Sequence, residues 1–407
     1  MRDERTERVA EGMRRAGYDA LICRLPEHVV MLTGYQPILG NTFCVVSRVS
    51  SGSGSGVEYR LALPKDELDL VPEGVAVAVK PYTEETLSSI STTIPSAREP
   101  LKDLLAQANL PQRATVGYEG GRSPIATAYT QVGIPGATTH DLLRELLSGA
   151  TLRDATALLE ELASVKTEEE LAAIRKAEQA ALAGFEAARA AVRVGASETD
   201  VHAATYGALL RAGFATAGAK HVVAHVHVMA GKRAAEAYKA FNLTSGATIA
   251  RGDTVSVQLE VAVNGYWAEL TRGFFAGEAS ETWVKARQAC VAAQDAALKV
   301  IRDGVAARDA DAAARNVMRD AGFGDAFKHG LGHGFGFQAI NHAAAPIVHP
   351  ASTQTLRAGM VHNMEPAVYL DGVGGFRLND DVLVTTQGAE VLSSGLPRDL
   401  EWLIVKE

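Results

Sequence analysis

Glu269 in AELTR, His333 in GLGHGFG and Glu365 in NMEP bring two carboxylates and an imidazole into glycine-punctuated segments of the second half of the chain. Gathered in one place, these groups suit either of two chemistries: holding a divalent ion, or moving protons on and off a substrate without one. Gln258 and Asn379 lie in comparable segments but carry neutral amides, which hydrogen-bond readily and are poor bridging ligands for hard cations.

Positioning such residues requires strands. TVSVQLEVAVNGYWAELTRGFF reads as a hairpin in which Val255, Val257, Leu259 and Val261 alternate with Thr254, Ser256, Gln258 and Glu260, and Asn264-Gly265 forms a two-residue turn. That register sets Glu260 opposite Glu269, with Gln258 on the same face. An exposed polar face fits the alternation too, but the apolar opposite face and the carboxylate of Glu365 favour a buried cluster. Like-charged carboxylates there are expected to raise one another's pKa.

In HGLGHGFGFQAINH the glycines on both sides of His333 permit close approach of backbone and ligand, and His329 and His342 accompany it less directly. His221, His225 and His227 fall on one strand face, either solvated or lining a cleft. Pro366 holds Glu365 in an extended conformation. Arg377 is expected to pair with a carboxylate or to bind an anionic group.

A repeat organises these segments. Arg193, Gly195, Asp200, Gly213 and Phe214 recur as Arg302, Gly304, Asp309, Gly322 and Phe323, each 109 residues on, and Gly252 and Gln258 recur as Gly359 and Glu365 after 107. Thr167 and Glu170 form a capping box, and the helix they start is expected to stop at Gly195. A second helix follows from Ser197 to Gly213; in the other half, helices end at Gly304 and Gly322. Two related helix-helix-strand halves, about 165–275 and 276–407, imply a cleft on a pseudo-twofold axis, with Gln258 and Glu365 at equivalent positions.

The first part of the chain mixes strand-like runs (ALIC at 20–23, FCVVS at 43–47, GVAVAV at 74–79) with helical pieces such as ERTERVAEGMRRAG, a pattern of a small α/β domain. SSGSGSG at 50–56 reads as a surface turn. The domain boundary falls between 147 and 166, giving domains of 1–155 and 156–407. The 407 residues, 47% hydrophobic, suffice for two cores. A net charge of −8 without a Lys/Arg block argues against nucleic-acid and anionic-membrane partners. Cys23, Cys44 and Cys290 are too few and too scattered for a disulfide framework or thiolate zinc site. With no apolar span, the protein is expected to be cytoplasmic.

Together EHVVMLTGY, KTEEELAAIRKA, RGDTVSVQLEVAVNGYWAELTR, HGLGHGFG, NMEPAVYL and FRLNDDVLV resemble the pita-bread family of aminopeptidase P, prolidase, methionine aminopeptidase and creatinase. The resemblance implies an α/β (α+β) chain: a small creatinase-type N-terminal domain, then a pseudo-twofold pita-bread catalytic domain. It further implies a homodimer acting on a small-molecule or dipeptide-like substrate. In metal-dependent members the ligands run Asp, Asp, His, Glu, Glu; the matching positions here are Gln258, Glu269, His333, Glu365 and Asn379. Two divalent ions would face only two carboxylates, so no resident metal is expected. A single Mn, Zn or Co ion on Glu269, His333 and Glu365 is the alternative. Creatinase, the metal-free branch, is the nearer precedent. One family histidine matches Phe241 here and a second matches Ile340, with His342 as its possible replacement.

The expected function is therefore metal-independent hydrolysis of a C–N bond in a peptide-like or amidine-like compound. Glu269 and Glu365 would share general-base and general-acid roles, His333 would shuttle a proton, and Gln258, Asn379, Arg377, His342 and Phe241 would contact substrate. The rivals are a one-metal Xaa-Pro dipeptidase or aminopeptidase and a non-catalytic binding homologue.

Overall fold

The computed structural model describes residues 3–39, 41–49, 56–121, 136–239 and 243–406, in two compact units, Met1–Ala163 and Ser164–Glu407. Phe241 and most of the SSGSGSG segment lie outside the described residues.

The first unit is a six-stranded sheet in the order β4-β3-β2-β1-β5-β6: β1 Ala20–Cys23, β2 Phe43–Arg48, β3 Val57–Pro64, β4 Ala78–Tyr82, β5 Thr115–Tyr118 and β6 Thr151–Asp154. Helices α1 (Asp3–Ala16), α2 (Pro26–Thr33), α3 (Thr93–Gln107) and α4 (Gly136–Leu146) intersperse the strands. A core of Ile22, Phe43, Val45, Leu101, Leu104 and Val116 closes one side. The strand expected at 74–79 begins only at Ala78, because Gly74 takes φ 72° in a turn that the run of apolar residues did not reveal.

The second unit opens with α5 (Glu168–Ala191), whose capping box forms as Thr167 and Glu170 predict. Next comes α6 (Glu198–Ala215), capped by Ser197. It runs past Gly213, where glycine answers to packing rather than to a helix stop, since a Cβ there would meet Val222 at 2.6 Å. Helices α7 (Glu281–Leu298) and α8 (Ala307–Asp320) are the corresponding pair of the other half. The same backbone contacts recur at the repeat spacing. Gly195 N–H donates to Ile249 C=O and Gly304 N–H to Leu356 C=O, both at 2.9 Å, and Ser197–Thr248 and Ala306–Thr355 are matching bridges.

These helices accompany an eight-stranded sheet whose main path is β10-β12-β9-β8-β7. The strands are β7 Val222–Ala230, β8 Thr254–Val263, β9 Tyr266–Ala276, β10 Val361–Met364 and β12 Gly374–Val384, with β11 Ala367–Leu370 and β13 Ala389–Val391 paired to β12 and β14 Ile404–Val405 paired to β9. The β8–β9 hairpin has the expected register, Glu260 facing Glu269, around an Asn264-Gly265 turn with both φ values positive at 53° and 84°. Every residue of β8 is buried. Val255, Val257, Leu259 and Val261 belong to the core with Phe185 and Leu209, so the polar residues between them face a second interior rather than solvent.

Candidate active site

Antiparallel pairing brings the polar faces together. Gln258 and Glu260 come from β8, Glu269 from β9, Asn363 from β10 and Arg377 and Asn379 from β12, while Thr271 pairs with Asn379 across β9–β12. His333 arrives on an irregular segment laid along β10: Asn363 N–H donates to His333 C=O at 3.0 Å, and Glu365 N–H to Leu331 C=O at 2.8 Å. The flanking glycines are required by backbone rather than ligand. A Cβ on Gly332 would sit 1.9 Å from the Asn363 carbonyl oxygen, and one on Gly334 2.0 Å from that of Ala345.

His333 and Glu269 form the centre. His333 Nε2 lies 3.5 Å from Glu269 Oε1 and 3.1 Å from Asn363 Nδ2, and its Nδ1 faces the Gly334 carbonyl at 3.1 Å. With a proton on Nε2 the ring gives to Glu269; without it, the ring accepts from Asn363. The imidazole thus has a partner in either state, as a proton carrier needs. Glu269 Oε2 also accepts the Ile340 N–H at 2.8 Å, and Ile340 is held at φ 53°, a conformation a β-branched residue rarely adopts.

The expectation that clustered carboxylates raise one another is corrected for Glu269. Burial alone would raise it, but the charge and hydrogen bond of His333 and the Ile340 N–H bring it to about 2. Burial would lower His333; Glu269, with Glu365 and the Gly334 carbonyl, raises it instead to about 9. Glu365 does rise, through burial, against the opposing charges of Arg377 and His333. It is also the more open of the two at 9% exposure, against 2% for Glu269.

Arg377 joins the two halves. Its guanidinium donates to Gln258 Oε1 and lies 3.4 Å from Glu365 Oε2, the carboxylate pairing anticipated for it. Asn379 turns its Nδ2 to the Glu269 carbonyl oxygen at 3.1 Å. The His342 ring sits 4.9 Å from that of His333, and burial together with the charge of His333 lowers it to about 4. His329 lies further back, its Nε2 3.2 Å from Tyr369 Oη. Of the histidine row, His227 and His225 face Gln258 and Glu260 across β7–β8, and His225 stacks on Trp267. Asn363 was not singled out from sequence; its signal was the two-residue spacing to Glu365, which along an extended segment means a shared face.

As placed, these residues do not fit a dinuclear metal centre: Gln258 and Glu365 engage a guanidinium, and Asn379 points a donor at the backbone. No group of three His, Cys, Asp or Glu side chains among the described residues is arranged to hold an ion.

Behind the site lies a buried carboxyl pair. Asp381 Oδ2 accepts the Glu269 N–H at 3.0 Å, and its other oxygen and both oxygens of Glu178 have no donor among the described residues. Two carboxyl groups so placed are stabilised by a proton on one of them. Burial raises Glu178 to about 7, and burial and Glu178 together raise Asp381. A raised carboxyl keeps its proton longer in the folded state, so stability is full below the unfolded value near 4.5 and declines as pH rises towards 7. Relative to Glu178→Gln, the wild-type protein should therefore lose on the order of 3 kcal/mol of stability between pH 5 and 8; parallel pH profiles of melting for the two proteins would contradict the pairing.

Residues 172–386, more than half of the 407, match the model of metallopeptidase family M24. The chain belongs to that family, and is a hydrolase with the pita-bread fold. It is 28% identical over 265 residues to the Xaa-Pro dipeptidase of Pyrococcus furiosus, covering 64% of this chain and 73% of that protein. Among solved structures, the prolidase from Pyrococcus horikoshii superposes with TM-score 0.76 at 22% identity, covering 98% of this chain and 100% of the other. The dipeptidase PepE from Mycobacterium ulcerans superposes with TM-score 0.72 at 25% identity, over 99% and 97%. Among the described residues no helix is long and apolar enough to cross a membrane.

Proposed function

We propose that the chain hydrolyses a C–N bond of a small peptide-like or amidine-like substrate without a resident metal ion, using its own cations where relatives of this family use metal. The observation that carries this reading is the guanidinium of Arg377 lying between Gln258 and Glu365, at positions that match metal ligands in the family. Arg377 and protonated His333 bring two positive charges, each beside a carboxylate.

In the proposed reaction water attacks the carbonyl or amidine carbon while Glu365, the more open of the two carboxylates and the one with the raised affinity for a proton, takes a proton from it. Negative charge gathering on the substrate heteroatom is stabilised by the fixed guanidinium. His333, held protonated by Glu269, gives its proton to the departing nitrogen, and the C–N bond breaks. Glu365 then returns its proton through His333. Gln258 and Asn379 orient Arg377 and Glu269.

Chelation tests this directly. After exhaustive treatment with EDTA and dialysis, turnover of a panel of Xaa-Pro dipeptides and amidino acids is expected to stay within about twofold of the untreated protein, because no step passes through an ion. Elemental analysis should find Mn, Zn and Co well below one per chain. Loss of activity on chelation with recovery on adding one of these ions would replace this reading by the one-metal Xaa-Pro dipeptidase that the likeness to the Pyrococcus furiosus enzyme suggests.

A further inference from the structure

Glu260 has no part in the proton transfers, yet it is fully buried, on the strand that carries Gln258. A carboxylate placed there without partners would cost several kcal/mol. Oε1 accepts from Gln258 Nε2 at 2.6 Å, and Oε2 lies 3.3 Å from His227 Nε2, at ion-pair distance but without hydrogen-bond geometry. From Gln258 the line continues to Arg377 and from Arg377 to Glu365, so His227, Glu260, Gln258, Arg377 and Glu365 form one continuous chain of polar contacts.

The direction of that chain is fixed by chemistry. An ionised carboxylate only accepts and a guanidinium only donates, so an amide between them can take one orientation, nitrogen to Glu260 and oxygen to Arg377. The negative charge absent from residue 258 is thereby supplied two residues on, and transmitted as a hydrogen bond rather than a direct ion pair.

We infer that Glu260, backed by His227, is a positioning residue: by dictating the orientation of the Gln258 amide it holds the Arg377 guanidinium on Glu365. This rests on the proposed function in taking Arg377 as the working cation of the site. A purely structural His227–Glu260 pair would leave the guanidinium where it is when the amide linkage is cut.

The test is the crystal structure and turnover of Glu260→Gln, with Glu260→Asp as the conservative variant. Glutamine at 260 both donates and accepts, so the Gln258 amide loses its single orientation. The guanidinium is expected to move out of hydrogen-bond reach of Glu365, and kcat to fall by about tenfold or more with a smaller change in KM. Asp at 260 should recover part of both. Should Glu260→Gln fail to fold, Gln258→Leu cuts the same link while leaving Glu260 with His227. Arg377 remaining on Glu365 in either variant would overturn the inference. Because its position is read without turnover, a finding of metal-dependent activity would remove the proposed function while leaving this assignment to stand or fall on the structures.

Discussion

Glu269→Gln is expected to lower kcat/KM in chelated protein by about 10²- to 10⁴-fold, mainly through kcat. The substitution preserves volume and leaves Oε1 able to accept from Asn363, but it removes the charge that keeps His333 protonated. Without that charge, burial drives the imidazole towards its neutral form and the departing nitrogen finds no proton. The wild-type pH profile carries the same signature: activity is expected to decline as pH rises through about 9, where His333 loses its proton. The matching stability term is present below the ordinary histidine value near 6.5 and disappears through the same upper range. Activity of Glu269→Gln within threefold of wild type would remove Glu269 from the mechanism.

Arg272→Met is expected to destabilise the protein by about 3–5 kcal/mol, the largest stability effect foreseen for a single substitution in this unit. Arg272 is completely buried, its Nε donating to Pro397 C=O at 2.9 Å, Nη1 to Asn379 C=O at 2.8 Å and Nη2 to Asp380 Oδ1 at 2.7 Å. Methionine fills much of the volume and satisfies none of these acceptors, leaving Asp380 charged in the interior with Ser393 and Gln294 as its remaining donors. The same guanidinium ties β9 to β12, the strands that carry Glu269 and Asn379. Chemical denaturation should show the loss as a lower midpoint; a change below about 1 kcal/mol would mean that the interior tolerates the unpaired aspartate.

Much of the second unit was legible in the chain itself. The capping box at Thr167, the Asn264-Gly265 turn and the alternation around Gln258 are local signals, each decided by residues within a few positions, and they gave the hairpin its register and Glu260 its partner. The match of several motifs in order and spacing gave the family. Where a local signal misled, as at 74–79 and Gly213, turn geometry in the one case and the packing of the glycine against Val222 in the other had the say.

Charge state was not legible. The type and spacing of Glu269, Glu365 and His333 established that acid-base groups would gather. Their pKa values depend on distances between segments up to about a hundred residues apart, through burial and through which group lies nearest. Only the tertiary structure set His333 rather than Glu365 beside Glu269, turned the Ile340 N–H onto that carboxylate and reversed the shift expected of it. Only it placed Arg377 between Gln258 and Glu365, because β8 and β12 meet through β9 and not through any periodicity in the sequence. The sequence alone determined that two amides, Gln258 and Asn379, accompany Glu269, His333 and Glu365 in the segments that form the site. The fold determined which cation stands among the carboxylates, since Coulomb interactions follow distance in space and not separation along the chain.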